Sequence, residues 1–476
     1  MMPFQLKKNL SENMEYFDQE LRVDVSFDVI KKNFITGGKK ACLYFVDGFA
    51  KDDALQKLLE KLEALKAEEF QKNAHDYMKH NIAYIEADKV TDAQDIVKNI
   101  LSGVAILLID SYEEAIAIDA RSYPVRGVEE PDTDKVIRGS RDGFVETIVF
   151  NTALIRRRIR TPKLINKMLS VGASSQTDIV CCYIEGRCNQ KLLETVLTKI
   201  QNITVDSLSM NQESLAECMF ERGWINPFPK FKYTERPDTA AACLLEGNII
   251  ILIDNSPAAM IVPASLFDII EEANDYYFPP ITGTYLRLSR YLMNVVAILL
   301  TPTFLLLMNN PELLPKMFEF IKVKEEMNIP IIFQFLILEL AVDGLKLASI
   351  NTPSMLSTPL SVISALVIGD FAVSSGWFNS ETMLYMAFVV LATYTQTSFE
   401  FGYALKFMRI ILLILTSVFG IWGYIVGIIV TFLCIALTKT ISGRNYIYPL
   451  IPFDGKKLWR KFFRPSLPNS RYQNGK

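Results

Sequence analysis

Three ionisable residues, Glu339, Asp343 and Lys346, interrupt a mostly apolar stretch at residues 331–350. Their spacing of four and three residues places them on one face of a helix. On insertion scales a charge at the centre of a bilayer costs about 2.5–3.5 kcal/mol, so such groups normally face water or the interior of a helix bundle. We interpret the three residues as a polar stripe along a pore. The alternative is a salt bridge between Asp343 and Lys346 that only locks helices together.

A second polar stripe lies in the next apolar stretch, residues 355–373, which is rich in small residues. Its four serines share one helical face: Ser354, Ser357, Ser361 and Ser364. A serine face can line an aqueous path, and it can equally be a seam where two helices pack closely. The sequence leaves both interpretations open.

Residues 121–164 form the most unusual charged segment, with Gly, Pro and alternating charges at 124–131 and 138–144 and a predicted helix at 146–160. Such loops can hold an anion through Arg side chains and backbone N–H groups. No Lys-Ser/Thr pair of a nucleotide-binding loop follows, and the aromatic residues typical of nucleic-acid binding are absent. We favour ionic contacts between subunits or near the membrane; a charged linker with a solvated helix is the alternative. The residues that we expect to make these contacts are Arg126, Glu129, Glu130, Arg138, Arg141, Asp142 and Glu146.

Metal, cofactor and enzyme chemistry find no support in the sequence. The chain has two histidines, His75 and His80, and Cys182 to Cys188 is not a zinc spacing. Seven cysteines without a regular framework indicate reduced thiols in a reducing compartment. We expect no cofactor, no metal site and no catalytic constellation.

The elements that must position these residues divide at about residue 290. The chain is 50% hydrophobic and 22% charged, but the charge is concentrated in residues 1–290, whereas residues 291–438 are dominated by apolar side chains. Residues 1–10 are polar and lack the apolar core of a signal peptide, which predicts that the N-terminal part stays on the cytoplasmic side.

Five apolar blocks in the second part are candidates to span a membrane, for which about 20 apolar residues are needed. They are residues 291–308, 331–350, 355–373, 383–399 and 410–437. Basic residues flank the region on both sides, which predicts an even number of crossings with both ends on the cytoplasmic side. Five blocks satisfy this only if one is re-entrant or if the last, long and glycine-containing block is split in two.

In the first part, strand and helix patterns occur twice in the same order. Strands are predicted at 41–46, 104–110 and 115–120 with a helix at 52–68, and again at 179–184, 249–254 and 260–262 with a helix at 190–200. The motif at residues 45–48 resembles that at 183–186, and 106–110 resembles 250–254. The predicted fold class is therefore a soluble α/β region of two tandem, duplicated subdomains followed by an all-α polytopic membrane domain.

We expect five regions along the chain. They are a first α/β subdomain at 1–120, the charged segment at 121–164, a second α/β subdomain at 165–285, a helical transmembrane domain at 286–440 and a basic cytoplasmic tail at 441–476.

Residues 124–131, 138–144 and 151–159 resemble the signature of the A subunits of spore germination receptors. Residues 25–29, 371–380 and 398–409 are similar to one branch of that family, and the similarity extends over nearly the whole chain. The resemblance implies an inner spore membrane protein with its soluble region facing the spore core, which acts in germination. It implies a homo-oligomeric ring that passes ions, and no catalytic residues.

The partners that the resemblance implies are the lipid bilayer, further copies of the chain, and other germination membrane proteins. Those are receptor B- and C-type subunits or components of the dipicolinic acid channel; no nucleic acid is expected. The nutrient pocket of the receptors belongs to a separate B subunit, so no nutrient site is expected here. The branch is associated with the release of dipicolinic acid.

Two functions follow as hypotheses. The chain is an oligomeric, ion-conducting subunit that promotes the release of ions and dipicolinic acid, or it is a non-conducting scaffold or signal-transducing subunit of a receptor complex. A secondary transporter is disfavoured because no repeat is visible within the membrane domain.

Overall fold

The computed structural model describes the chain apart from residues 1–3, 50–51, 72, 83–85, 122–134, 221–225, 324–327, 353–370 and 467–476. The described residues fall into two compact units. Met1–Arg222 and Phe231–Pro263 contribute to the first unit, and Gly223–Lys230 and Ala264–Ser466 form the second.

The first unit begins with a five-stranded antiparallel sheet in the order β1-β2-β4-β5-β3. Its strands are β1 (Val29–Thr36), β2 (Lys39–Val46), β3 (Glu86–Val90), β4 (Ala105–Ile109) and β5 (Ala115–Asp119), and its helices are α1 (Leu10–Leu21), α2 (Asp52–Glu63), α3 (Ala74–Asn81) and α4 (Ala93–Leu101). Alternate residues of a strand point to opposite faces. Cys42 and Tyr44 of β2 accordingly pack against α1 and α4, whereas Leu43 packs against α2 and α3.

A second sheet repeats this arrangement in the order β6-β7-β9-β10-β8. Its strands are β6 (Leu164–Val171), β7 (Thr177–Ile184), β8 (Lys232–Thr234), β9 (Ile249–Ile253) and β10 (Ala259–Val262), and its helices are α5 (Ile148–Arg158), α6 (Gln190–Gln201), α7 (Asn211–Met219) and α8 (Pro237–Leu245). Helices α5 and α8 pack on one face of this sheet.

The predicted duplication is confirmed at the level of single hydrogen bonds. Asp110 Oδ1 accepts from the backbone N–H of Leu10 at 3.2 Å, and Asp254 Oδ1 accepts from that of Ile148 at 3.2 Å. In both repeats a carboxylate at the end of a central strand therefore caps the N-terminus of the first helix. Matched glycines after the second strand, Gly48 and Gly186, have φ of 76° and 77°.

Within α1 and α5 one asparagine makes the same pair of bonds. Asn13 accepts from Lys7 N–H at 2.9 Å and donates to the Lys7 carbonyl at 2.6 Å. Asn151 accepts from Val145 N–H at 2.8 Å and donates to the Val145 carbonyl at 2.5 Å. These bonds close the turn that leads into each helix, so the two asparagines are structural equivalents.

One expectation for this unit was wrong: the helix predicted at 52–68 ends at Glu63. The alternative of a charged linker with a solvated helix does not hold either, because Asn151–Arg156 of that helix are all buried. The strands β1 and β6 had no counterpart in the prediction. Both are edge strands that alternate Lys, Asn or Ser with apolar residues, so neither has the long apolar run of β2 and β7.

The second unit is helical. It contains α9 (Leu266–Ile270), α10 (Asn274–Tyr277), α11 (Pro280–Asn309), α12 (Ile331–Asn351), α13 (Ala372–Ser374), α14 (Ser380–Tyr394), α15 (Phe399–Leu437) and α16 (Gly455–Phe462). Short 3₁₀ turns lie at Ala67–Glu69 in the first unit and at Pro311–Leu313 and Lys316–Ile321 in the second. Among the described residues, α11 and α15 are long and apolar enough to cross a membrane.

Helix α15 is bent back on itself at Gly420, which has φ 58° and ψ −134°. A straight helix of this length would span about 58 Å. Yet Phe401 near its start and Tyr446 beyond its end each lie 6.3 Å from the ring of Phe228. A Cβ on Gly423 would lie 1.8 Å from the carbonyl oxygen of Leu415, so the turn accepts only glycine there. Residues 399–419 and 421–437 are therefore two antiparallel arms.

The two ends of this helical unit can be distinguished by their contacts. At one end, Arg287 of α11 donates to the Arg460 carbonyl at 3.0 Å, next to α16. At the other end, Thr303 lies 2.7 Å from the hydroxyl of Tyr424, just beyond the bend of α15. Helix α11 therefore begins at the same end of the helical unit at which the second arm of α15 finishes. The last apolar block is therefore split in two, and the even number of crossings stays a prediction.

Candidate functional site

A network of four charged side chains, three of them buried, joins α12 to the first arm of α15. Glu339 Oε1 accepts from Arg409 Nε at 2.6 Å, and Glu339 Oε2 lies 3.3 Å from Lys406 Nζ. Lys406 also pairs with Asp343, one helical turn beyond Glu339. The acids are four residues apart and the cations three apart, so each pair occupies one face of its helix.

The network extends to a third helix through backbone oxygens. Arg409 Nη1 donates to the carbonyl of Ala297 in α11 at 2.6 Å, and Lys406 Nζ donates to the carbonyl of Glu339 at 3.0 Å. The side chains of Glu339, Lys406 and Arg409 are buried. Charges removed from water are tolerated only when they are paired and hydrogen-bonded, and these three are.

Asp343 is the least enclosed member of the network. Its side chain retains 28% exposure, whereas that of Glu339 retains 4%. One oxygen pairs with Lys406, but the buried Oδ1 accepts no hydrogen bond from the residues that the structure describes. Asp343 is therefore the charge of this network that is best placed to respond to water, to an ion or to a change in helix packing.

Lys346, the third residue of the predicted stripe, has different neighbours. Its ammonium lies 5.3 Å from the ring centre of Tyr394 and 5.4 Å from that of Tyr403, in cation–π geometry. The alternative of a salt bridge between Asp343 and Lys346 does not hold, because the ion-pair partner of Asp343 is Lys406. The serine stripe at Ser354, Ser357, Ser361 and Ser364 lies outside the described residues.

Lys406 and Arg409 are not among the sequence-predicted site residues, because both precede the apolar run that begins at residue 410. The structure begins the helix at Phe399, so both cations lie inside it. The signal was present in the sequence: two cations three residues apart precede an apolar block, and two acids four residues apart interrupt another.

The charged segment of the first unit contributes internal contacts. Asp142 accepts hydrogen bonds from Arg158 at 2.5 and 2.6 Å, within the same chain. Burial alone would raise the pKa of Asp142, but the hydrogen bonds from Arg158 and Ser140 leave it below its ordinary value. Arg138, Arg141 and Glu146 are exposed. Arg126, Glu129 and Glu130 lie outside the described residues.

A second ion pair of this unit was not predicted. Arg156 of α5 holds Asp28 through bonds of 2.9 and 3.1 Å, and both side chains are 1% exposed. The same guanidinium donates to the Leu164 carbonyl at 2.9 Å and lies 3.3 Å from Ser26 Oγ. The pair ties the segment before β1 to the second repeat, so Arg156 is a joint between the two halves of the unit.

No group of three or more His, Cys, Asp or Glu side chains that could hold a metal ion occurs in the part of the chain that the structure describes. The arrangement at α12 and α15 can instead hold helices together through charge-assisted bonds, or separate to expose paired charges within an apolar helix bundle.

Known proteins resemble this chain over a range that includes both the charge network and the charged segment. The family model of the Bacillus/Clostridium GerA spore germination protein matches residues 15–474. Stage V sporulation protein AF of Bacillus subtilis (strain 168) is 37% identical over 98% of this chain and 94% of its own length. Spore germination protein GerLA of Bacillus cereus is 28% identical over 97% of this chain and 94% of its own length.

Among solved structures, the N-terminal domain of the A subunit of the Bacillus megaterium spore germinant receptor GerK3 aligns with a TM-score of 0.44 and 25% identity. The alignment covers 56% of this chain and 98% of that domain. The family match spans the charged segment at residues 121–164 and the helices that carry the charge network. The chain therefore belongs to the GerA family of spore germination proteins.

Proposed function

We propose that this chain is a membrane subunit of the spore germination machinery that conducts ions as a homo-oligomer and thereby promotes the release of ions and dipicolinic acid. The observation that carries the proposal is the charge network of Glu339, Asp343, Lys406 and Arg409, which lies in the interior of a helical unit with apolar spanning helices. Ionisable groups at such a depth commonly mark an ion pathway.

Asp343 is the residue that we assign to the pathway. It is partly exposed and one of its oxygens accepts no hydrogen bond from the described residues, whereas Glu339 is enclosed by Arg409 and Lys406. We assign to Glu339 and Arg409 the role of keeping the helices along the pathway together. We assign to Asp343 and Lys406 an ion pair that breaks when the pathway opens and forms again when it closes. The serine face at 354–364 stays a prediction for the same pathway.

The setting of the proposal is the inner spore membrane, with the first unit on the spore-core side. Its support is the family membership, the basic residues that flank the apolar region, and the shared end at which α11 begins and α15 ends. Receptor B- and C-type subunits or components of the dipicolinic acid channel are the proposed partners.

One observation favours the alternative of a non-conducting scaffold. Glu339 and Arg409 satisfy each other, and Arg409 also bonds the backbone of α11, which is what a purely structural lock between helices requires. In a lock, neutralising Asp343 would change stability without changing ion flux.

Ion flux through liposomes that contain the full-length protein distinguishes the two functions. The test compares the wild type with Asp343→Asn, and uses Glu319→Asn as the control, since Glu319 is 61% exposed in the connection between α11 and α12. Conduction predicts flux from the wild type that changes severalfold in Asp343→Asn and not in Glu319→Asn. If liposomes with the wild type and with both variants all show no more ion flux than protein-free liposomes, the result supports the non-conducting scaffold.

A further inference from the structure

The segment that follows the last apolar arm carries a surface that neither the family assignment nor the charge network explains. This interfacial surface consists of Arg444, Leu450, Ile451, Phe453, Lys456, Lys457 and Trp459. Phe453 is 75% exposed and Trp459 is 62% exposed. Residues 438–464 contain seven Lys or Arg against one acid, Asp454. Exposed aromatic residues beside cations are typical of helices that lie in the headgroup region of a bilayer.

The helix α16 is fixed at the end of the helical unit where α11 begins. Lys461 pairs with Asp268 at 2.5 Å and with Glu271 at 2.8 Å. The ring of Phe462 lies 4.9 Å from that of Tyr291, the residue at which the first apolar block of α11 begins. Helix α16 is therefore held next to the start of a membrane-spanning helix, at the depth where a bilayer changes from acyl chains to headgroups.

A pocket of about 450 Å³ lies beside this helix, lined by Gly443, Arg444, Asn445, Tyr448, Pro452 and Lys457. Its two cations lie beside one aromatic side chain. The Arg444 guanidinium is 5.8 Å from the ring centre of Tyr448, and the Lys457 ammonium is 5.0 Å from it, at the hydroxyl edge of the ring. Lys457 also donates to the Tyr448 hydroxyl at 2.5 Å and lies 3.4 Å from Asp454. Arg444 is exposed.

We propose that this pocket binds the headgroup phosphate of an anionic phospholipid, while Phe453 and Trp459 lie among the glycerol and upper acyl groups of the same leaflet. A phosphate between Arg444 and Lys457 meets two positive groups against one carboxylate. An acidic protein partner would satisfy the cations but would leave no reason for exposed aromatic side chains at the depth where α11 enters the membrane. A lipid satisfies both.

Binding of fluorescent phosphatidylglycerol and phosphatidylcholine to the full-length protein in detergent micelles tests the proposal. The wild type should prefer phosphatidylglycerol, and the preference should fall with added salt. In Arg444→Gln/Lys457→Gln the affinity for phosphatidylglycerol should fall by about tenfold or more, since both charge-assisted contacts to the phosphate are lost. The matched control is Lys316→Gln/Lys322→Gln, which removes two positive charges from the connection between α11 and α12.

A second variant keeps the test independent of folding defects. Phe453→Ser changes a side chain that is three-quarters exposed, and it should weaken the binding of both lipids while preserving the preference for phosphatidylglycerol. Three results would overturn the proposal: a wild type without preference, equal losses in the Arg444/Lys457 variant and in the lysine control, or unchanged lipid binding in Phe453→Ser. Displacement of the lipid by millimolar inorganic phosphate would likewise reject it and assign the pocket to a free anion.

Discussion

The guanidinium of Arg409 lies 2.6 Å from the carboxylate of Glu339, and both side chains are almost completely enclosed by the helices that they join. The second donor of the same guanidinium reaches the backbone of α11. Three helices thus meet at one cation, and the outer two contact residues, Ala297 and Arg409, are 112 residues apart in the chain. This contact makes the two acids of α12 unequal, because Glu339 is committed to it and Asp343 is not.

Neutralising one partner of the Glu339–Arg409 pair should destabilise the protein. Glu339→Gln leaves the Arg409 charge buried without its counterion, for which about 3–5 kcal/mol is typical. The double variant Glu339→Leu/Arg409→Met should recover much of that loss, because it removes both charges. Thermal unfolding of the full-length protein in detergent measures this, with Glu319→Gln as the exposed control. A Glu339→Gln protein as stable as the control would contradict the buried Glu339–Arg409 pairing.

Arg156 should be irreplaceable even by lysine. Its fork contacts both oxygens of Asp28 and the Leu164 carbonyl, and an ammonium cannot make this set of bonds. We expect Arg156→Lys to lose about 3 kcal/mol or more, in the range for a broken buried pair, whereas the exposed Arg160→Lys should change stability by less than about 0.5 kcal/mol. Similar unfolding temperatures for the two variants would contradict the assigned role of Arg156 as a joint.

The exposed arginines of the charged segment at residues 121–164 are predicted to make contacts between subunits. Arg138→Glu/Arg141→Glu should leave the fold intact and weaken the oligomer, since single exposed ion pairs contribute only about 0–1 kcal/mol and several reversed charges are needed for a clear effect. Light scattering of the protein in detergent gives the subunit number. Lys57→Glu/Lys61→Glu, on the exposed side of α2, makes the same change in charge elsewhere; an unaltered oligomer in the arginine variant would reject the prediction.

The thiols of the two central strands should be inert in the folded protein. Burial raises the pKa of Cys42 and that of Cys181 from near 9 to about 12, so both stay protonated at pH 8.5. We expect maleimide to leave them unmodified until urea unfolds the first unit, with the half-buried Cys188 as the internal comparison. Mass spectrometry of the labelled peptides reads this out, and rapid native labelling of either strand cysteine would be inconsistent with the packed sheets.

The same shifts fix the sign of a pH dependence. Because the folded state disfavours the thiolate, the stabilisation is complete below the unfolded pKa of about 9 and is lost as pH rises towards the folded value of about 12. Unfolding temperatures should therefore fall between pH 9 and 11 through these groups. Cys42→Ala/Cys181→Ala should show a smaller fall over that range, and an equal fall would assign the pH dependence to other groups.

The sequence by itself determined the two-part organisation, the duplication and the family. Composition separates a charged part from an apolar part, since water and lipid select different side chains. The repeated order of apolar strands is visible in matched motifs, such as residues 106–110 and 250–254, because a strand that is buried on both faces accepts few residue types. The helix at 146–160 and the strands β2, β4, β7 and β9 were predicted close to their observed positions.

Only the tertiary structure decided which charges meet. The spacing along α12 shows that Asp343 and Lys346 share one face of the helix. An ion pair, however, forms with the oppositely charged group that packing brings near, and for Asp343 that group is Lys406 of another helix. The bend at Gly420 also depends on tertiary structure, because glycines are common in membrane helices. Only the position of Phe401 and Tyr446 beside the same ring, that of Phe228, distinguishes a hairpin from a long helix. Local patterns specify elements and their faces, whereas contacts between elements depend on packing over the whole unit.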